Sequence, residues 1–370
     1  MFKIIPESDV ASKKMSISFE GVFPTQEYSD AFKKFVDVYE VDNLIMDGDR
    51  KPNLKPKNQR VCRFCDKAMP NVTFRKDAHS LSQLMGNRNI VSDAECDTCN
   101  HFFSKYENDL ASFMGLSRTL SFLKGQNGIP KYKSPDKNLI IGENDEDGED
   151  GEDGENKANK RLKLTSFGLE NDHFKVDEDD KTLLIKGTKH PYTPLKVFKL
   201  LAKIGYSLLP EDELSKFQTM RKVIMSEEFD NKVNGNPLFR LFEMISPGPP
   251  FPSPMIFSCK KKAEHQATPC PTWTYVIYFQ NYIYQFFLPY YDDDYWIFKP
   301  GGTVTILRMP PLLDKKWIET FGEPSFLSID LSSNIIKKNE PQYVTMQFDE
   351  AIMYPNPISD NSASEHDSKE

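Results

Sequence analysis

The period of the hydrophobic positions changes along the chain. Between Glu27 and Tyr39, the residues Phe32, Phe35, Val36 and Tyr39 recur at helical spacing, whereas Ser16–Phe19 alternates weakly like a strand. Residues 46–60, MDGDRKPNLKPKNQR, hold two prolines and no apolar period, which predicts a linker. Val72–His79 predicts a strand on which Thr73, Arg75, Asp77 and His79 share one face. A loop with Gly86, Asn87 and Asn89 leads to a short second strand at Ile90 and Val91. A helix then runs from Asp97, read as its cap, to a glycine stop at about Gly115. Phe103, Tyr106, Leu110, Phe113 and Met114 form its apolar stripe, with Asn100 and Glu107 within about 20° of each other at the edge.

Beyond this helix the pattern divides again. Residues 116–141 carry Arg118, Lys124, Lys131, Lys133 and Lys137 among glycines and Pro130, and predict an irregular basic extension. GENDEDGEDGEDGEN, 142–156, has almost no apolar residue to bury and predicts a disordered acidic linker. Lys196–Leu209 predicts a helix with Val197, Leu200, Leu201, Ile204 and Leu208 on one side, and Leu214, Phe217, Met220, Val223 and Ile224 predict a second. From there the chain turns to β: Met255–Ser258, Thr272–Leu288, Thr303–Arg308, Phe326–Leu331 and Tyr343–Phe348, with Pro-rich turns between. The expected class is α+β. The expected division is a lead-in (1–45), a linker (46–60), a module with its basic extension (61–141), an acidic linker (142–159), an α+β domain of two helices and a β-rich half (160–357), and a disordered tail (358–370).

Composition narrows the function classes. At 370 residues, 38% hydrophobic and 28% charged, the chain suits a soluble protein of two or three cores. No run of about 20 apolar residues predicts a membrane span, and MFKIIPESDV lacks the apolar core of a secretory signal. Six cysteines in so long a chain do not make a disulfide framework, and a reducing cytoplasm is expected. Net charge is −8, yet Arg50 to Lys137 holds 16 Lys and Arg against 8 Asp and Glu, a local +8. Nine of the compensating negatives lie between Glu143 and Glu155. A basic module inside an acidic chain predicts a contact surface for a phosphate backbone.

The chemistry concentrates in one stretch. Cys62-x2-Cys65 and Cys96-x2-Cys99, with thirty residues between the pairs, predict two knuckles that supply four thiolates to a structural Zn²⁺. His79 stands between the pairs, and Asn100 follows the last cysteine. With Ala78-His79, Gly86-Asn87, Cys99-Asn100 and Glu107, this stretch resembles the HNH endonucleases, in the subgroup whose ββα-metal (treble-clef) motif is braced by four cysteines. The resemblance is specific over about residues 60–115. It implies a metal-dependent endonuclease acting on nucleic acid, most simply double-stranded DNA, with Mg²⁺ or Mn²⁺ at the phosphate. By the same resemblance His79 is the general base, Asn87 the loop brace and Asn100 a metal ligand. The family's acidic residue before the histidine is Ala78 here, so Asp77 is expected to take over as oxygen ligand if the strand is regular. His101 and Glu107 are further ligand candidates, Glu107 being more often a packing residue. The rival reading is a catalytically degenerate zinc-binding module that recognises nucleic acid or protein. Elsewhere, Cys259, Cys270 and His265 lack a fourth partner and read as ordinary residues, Asp292–Asp294 reads as a turn, and His190 stands alone. The aromatics of 272–297 read as core rather than a base-stacking platform.

Overall fold

A computed structural model describes residues 3–8, 15–20, 22–48, 54–122, 128–143, 162–167, 173–227, 237–291 and 304–348. The acidic stretch after Glu143, the Asp292–Asp294 turn and the polar tail lie outside the described residues. In chain order the elements are β1 (Lys3–Ser8), β2 (Met15–Glu20), α1 (Gln26–Val38), β3 (Tyr39–Met46), β4 (Ala78–His79), β5 (Val91–Ser92), α2 (Asp97–Met114) and α3 (Ser117–Leu120). They continue with β6 (Tyr132–Lys133), β7 (Leu139–Glu143), β8 (Leu162–Ser166), β9 (Phe174–Asp177), β10 (Thr182–Thr188), α4 (Pro194–Leu208) and α5 (Gln218–Met225). The last are β11 (Arg240–Ile245), β12 (Phe251–Lys261), β13 (Trp273–Gln280), β14 (Tyr282–Phe287), α6 (Lys315–Phe321), β15 (Ser325–Asp330) and β16 (Pro341–Gln347). The class is α+β.

The largest sheet has the order β15-β11-β14-β13-β12-β3, with antiparallel neighbours throughout. Because side chains alternate across a strand, β13 feeds two cores. Trp273, Tyr275, Ile277 and Phe279 pack with α4 and α2, while Val276 and Tyr278 face a second cluster holding Phe35 and Val38 of α1, Met309 and Leu313. The described aromatics of this run, up to Tyr291, are core or pack against it, as their alternation predicts. The remaining strands form two three-stranded sheets, β16-β10-β9 and β6-β7-β8, and two hairpins, β1-β2 and β4-β5.

Several local expectations shift. The single run Thr272–Leu288 is a hairpin, β13 and β14, turning where Gln280 takes a φ of +53°. The described part of Thr303–Arg308 joins no ladder, although Thr305 N–H donates to Pro269 O (2.6 Å) and Leu307 O accepts from Gln285 (3.0 Å). The basic extension holds β6 and β7, the latter paired with β8. The end of the lead-in forms β3, an edge strand on β12. The apolar stripe of α2 and nearly every side of α4 share one core with the six-stranded sheet.

Candidate metal centre and adjoining site

The sulfurs of Cys62, Cys65, Cys96 and Cys99 lie within 4.8 Å of one another, and Cys65 Sγ is 3.8 Å from Cys96 Sγ. Four sulfurs at the usual 2.3 Å from a tetrahedral Zn²⁺ stand roughly 3.8 Å apart, so the spacing fits that ion. The first knuckle closes by Asp66 N–H donating to Cys62 O (2.8 Å) and Cys62 N–H to Lys67 O (2.9 Å), with Asp66 at a φ of +57°. The second leads straight into α2, where Asn100 N–H donates to Cys96 O (2.9 Å). Crowding makes the thiols unequal. A hydrogen bond from Cys99 pulls the Cys62 thiol down to about 5, and burial pushes Cys96 up to about 11. Cys99 is raised, first by its bond to Cys62 and then by burial. Four sulfurs so placed ionise together only around a cation, which is the donor set of a structural zinc site.

Asp97 is the first residue of α2, with Cys96 at the cap position. Its carboxylate accepts from Thr73 Oγ1 (2.5 Å) and from the amides of Arg75 (3.0 Å) and Lys76 (3.3 Å), which fastens the irregular segment before β4 to the helix start. The predicted strand Val72–His79 is thus reduced to Ala78–His79, because the amides before it bond to a side chain instead of a neighbouring strand. At the other end Gly115 closes α2 with a φ of +57°. A Cβ there would collide with Gln342 Oε1, and that amide oxygen accepts from Leu116 N–H (3.0 Å) while its nitrogen donates to Met114 O (3.0 Å).

His79 ends β4 and is half-buried. Asn87 is buried in the loop, where its Oδ1 accepts from Ile90 N–H (2.7 Å) and its Nδ2 donates to Leu81 O (2.5 Å) and Ile90 O (2.9 Å). That fixes the amide, so Nδ2 is the atom 3.3 Å from His79 Nδ1. Both ring nitrogens of His79 thus face side-chain amide nitrogens, Nδ1 that of Asn87 and Nε2 that of Gln83 at 2.8 Å, and the neutral ring accepts at one of the two. Burial, and then the nearby Lys203 ammonium, hold the His79 pKa below its ordinary value, so the ring is neutral at neutral pH.

The other predicted residues are placed differently. Asp77 is exposed and its Oδ1 pairs with Nη1 of buried Arg60 (2.8 Å). Ala78 is buried and offers no donor atom. Asn100 is partly exposed on the first turn of α2, one residue beyond Cys99. Glu107 accepts from Ser82 Oγ (2.7 Å), and His101 is exposed. Among the described residues the four cysteines are the one group of three or more His, Cys, Asp or Glu side chains arranged to hold a metal. His190 Nε2 contacts Lys133 O (2.8 Å), and Cys259 and Cys270 are buried.

Three residues around the site were missed by the sequence reading. Arg63, inside the first knuckle, donates Nη1 to Tyr206 O (2.9 Å), Ser207 O (2.7 Å) and Leu209 O (3.2 Å), the orphan carbonyls ending α4. Lys203 of α4 and Glu95 form a buried ion pair at 2.8 Å. The available signal was Lys199 and Lys203, four apart on a helix otherwise apolar nearly all round: a lysine there needs a buried partner. No protein-family model, no curated protein and no solved structure matches this chain.

Proposed function

We propose that this protein is a metal-dependent endonuclease of the HNH type, cutting DNA at a treble-clef site braced by zinc. The observation that carries the reading is His79: a neutral imidazole at the end of a two-stranded hairpin, between two cysteine knuckles, oriented by a buried loop asparagine. His79 acts as general base through a ring nitrogen that gives up its amide contact to the attacking water, the 3.3 Å approach of Asn87 to Nδ1 being the weaker of the two. Asn87 lies against the ring at Nδ1 and holds the loop across Leu81 and Ile90. Cys62, Cys65, Cys96 and Cys99 hold a structural Zn²⁺ that keeps hairpin and helix together. The basic balance of residues 50–137 supports a DNA backbone as partner.

The residues fit a catalytic Mg²⁺ or Mn²⁺ less well than they fit zinc. When bound, such an ion supplies positive charge at the scissile phosphate. This chain offers it Asn100 and, only on release from Arg60, Asp77. That pairing, with Ala78 in the family's acidic position, favours a second reading: a zinc-braced nucleic-acid recognition module without cleavage. Substitution separates the two. In a working site Asp77→Asn weakens Mn²⁺ binding and cleavage while zinc content stays unchanged, and Ala78→Asp is neutral or harmful because two carboxylates compete. In a degenerate site Asp77→Asn is silent and Ala78→Asp raises cleavage from nothing.

A further inference from the structure

Helix α4 belongs to the second half of the chain, yet one of its lysines reaches the strand that carries His79. Lys203 Nζ donates to the His79 main-chain carbonyl (2.7 Å) and pairs with Glu95 (2.8 Å), with the Phe103 ring centroid 5.6 Å away. Both side chains are buried, at 5% and 0% exposure, so neither charge is met by solvent. The hairpin register explains why the carbonyl needs this partner. Ser80 N–H donates to Ile90 O (3.1 Å), so His79, facing Val91, occupies a non-hydrogen-bonded position. Its main-chain groups then point away from β5, and the ladder cannot hold them.

We propose that Lys203 is a positioning residue for His79: its ammonium clamps the carbonyl of residue 79 against Glu95, the residue before Cys96. The proposal rests on the reading of His79 as general base. It gives the second half of the chain a part in the site. One cation ties the end of β4 to the second knuckle, and α4 is itself fixed to the first knuckle through Arg63. A two-residue strand cannot set an imbedded imidazole to the tolerance that proton abstraction requires, and the third element supplies the missing constraint.

The test uses the full chain. Lys203→Met alone would strand the Glu95 carboxylate, so the decisive variant is Lys203→Met with Glu95→Gln, beside Lys203→Arg, which keeps a donor and a charge. Four quantities are measured: zinc stoichiometry, duplex affinity, single-turnover nicking with Mn²⁺, and hydrogen exchange of the Ser80 amide. The double variant keeps its zinc and its affinity, loses about 10- to 100-fold in nicking rate and speeds Ser80 exchange, and Lys203→Arg restores most of the rate. A double variant that nicks like the parent, or an arginine variant as slow as the double, overturns the proposal. If the parent protein itself does not nick, the nuclease reading fails. The clamp is then judged on Ser80 exchange alone, and an unchanged exchange rate overturns it separately.

Discussion

The four-cysteine region and the six-stranded sheet keep their shapes by opposite means. In the sheet, β12 alone runs from Phe251 to Lys261, and stacked rings such as Tyr275 on Phe286 (centroids 5.4 Å apart) fill both faces. Around the cysteines, β4 and β5 contribute two residues each, too few ladder bonds for a hairpin to persist by itself. Beside the core it shares with the sheet through α2 and α4, that region is held by a set of cross-links: four sulfurs, the Asp97 carboxylate on Thr73–Lys76, the Asn87 amide across its loop, and the Lys203–Glu95 pair. A region built this way can expose a half-buried imidazole without losing its geometry. A ring-packed sheet offers no such opening, which is why the candidate chemistry sits in the first and not the second.

The two regions should part most sharply on loss of metal. Removing zinc, or Cys99→Ser, removes a binding energy of roughly 10–16 kcal/mol that is also folding energy. Hydrogen exchange across 61–115 should collapse to fast rates, while β13 and β14 keep slow-exchanging amides. Retained zinc stoichiometry and retained protection in Cys99→Ser would remove the four-cysteine assignment. The converse perturbation is Phe286→Ala, which opens a cavity near the end of β14 at a cost of about 3–5 kcal/mol. Its melting temperature should fall with one zinc per chain still bound in the folded state. Zinc loss before unfolding would mean that the two regions do not differ as described.

A smaller effect sharpens the join between α2 and the three-stranded sheet β16-β10-β9. Glu340, just before β16, accepts from Lys189 Nζ (2.7 Å) and Tyr192 OH (2.8 Å), and the Lys189 ammonium lies 4.6 Å from the Phe113 ring centroid on α2. Burial pushes the Glu340 carboxyl up, but Lys189 and Tyr192 more than offset it, so its pKa lies below the ordinary 4.5. A carboxylate depressed on folding adds stability that is complete above pH 4.5 and lost as pH falls through the lower folded value. Glu340→Gln should therefore cost about 1–2 kcal/mol at pH 7 and progressively less below pH 4.5. Urea melts of both proteins at several pH values test this, and a difference that does not shrink in acid would contradict it.

Much of the fold was legible because its signals are periodic. The stripe from Phe103 to Met114 and the glycine after it give α2 and its end, and the alternating aromatics of 272–288 give two-faced core strands. The cysteine spacing gave the cluster. The length of β4 was not legible, because the amides of Arg75 and Lys76 are taken by Asp97, a side chain that reads from sequence as a helix cap. Nor was the partner of Asp77, since no pattern links Arg60 to it across an irregular segment. Lys199 and Lys203 on an apolar helix signalled buried partners for α4 but not which ones: Arg63 and Lys203 act on main-chain carbonyls, and such bonds leave no mark on the residues that accept them.

The most direct test of the central claim is conversion of supercoiled plasmid to its nicked form by purified full-length protein, with and without Mn²⁺ or Mg²⁺, beside His79→Ala at equal zinc content. With His79 as general base, the parent protein nicks only with metal and His79→Ala loses about 10²–10⁴-fold, the usual worth of a general base. Equal nicking by both proteins would contradict it, as would no nicking by either while duplex DNA is still bound.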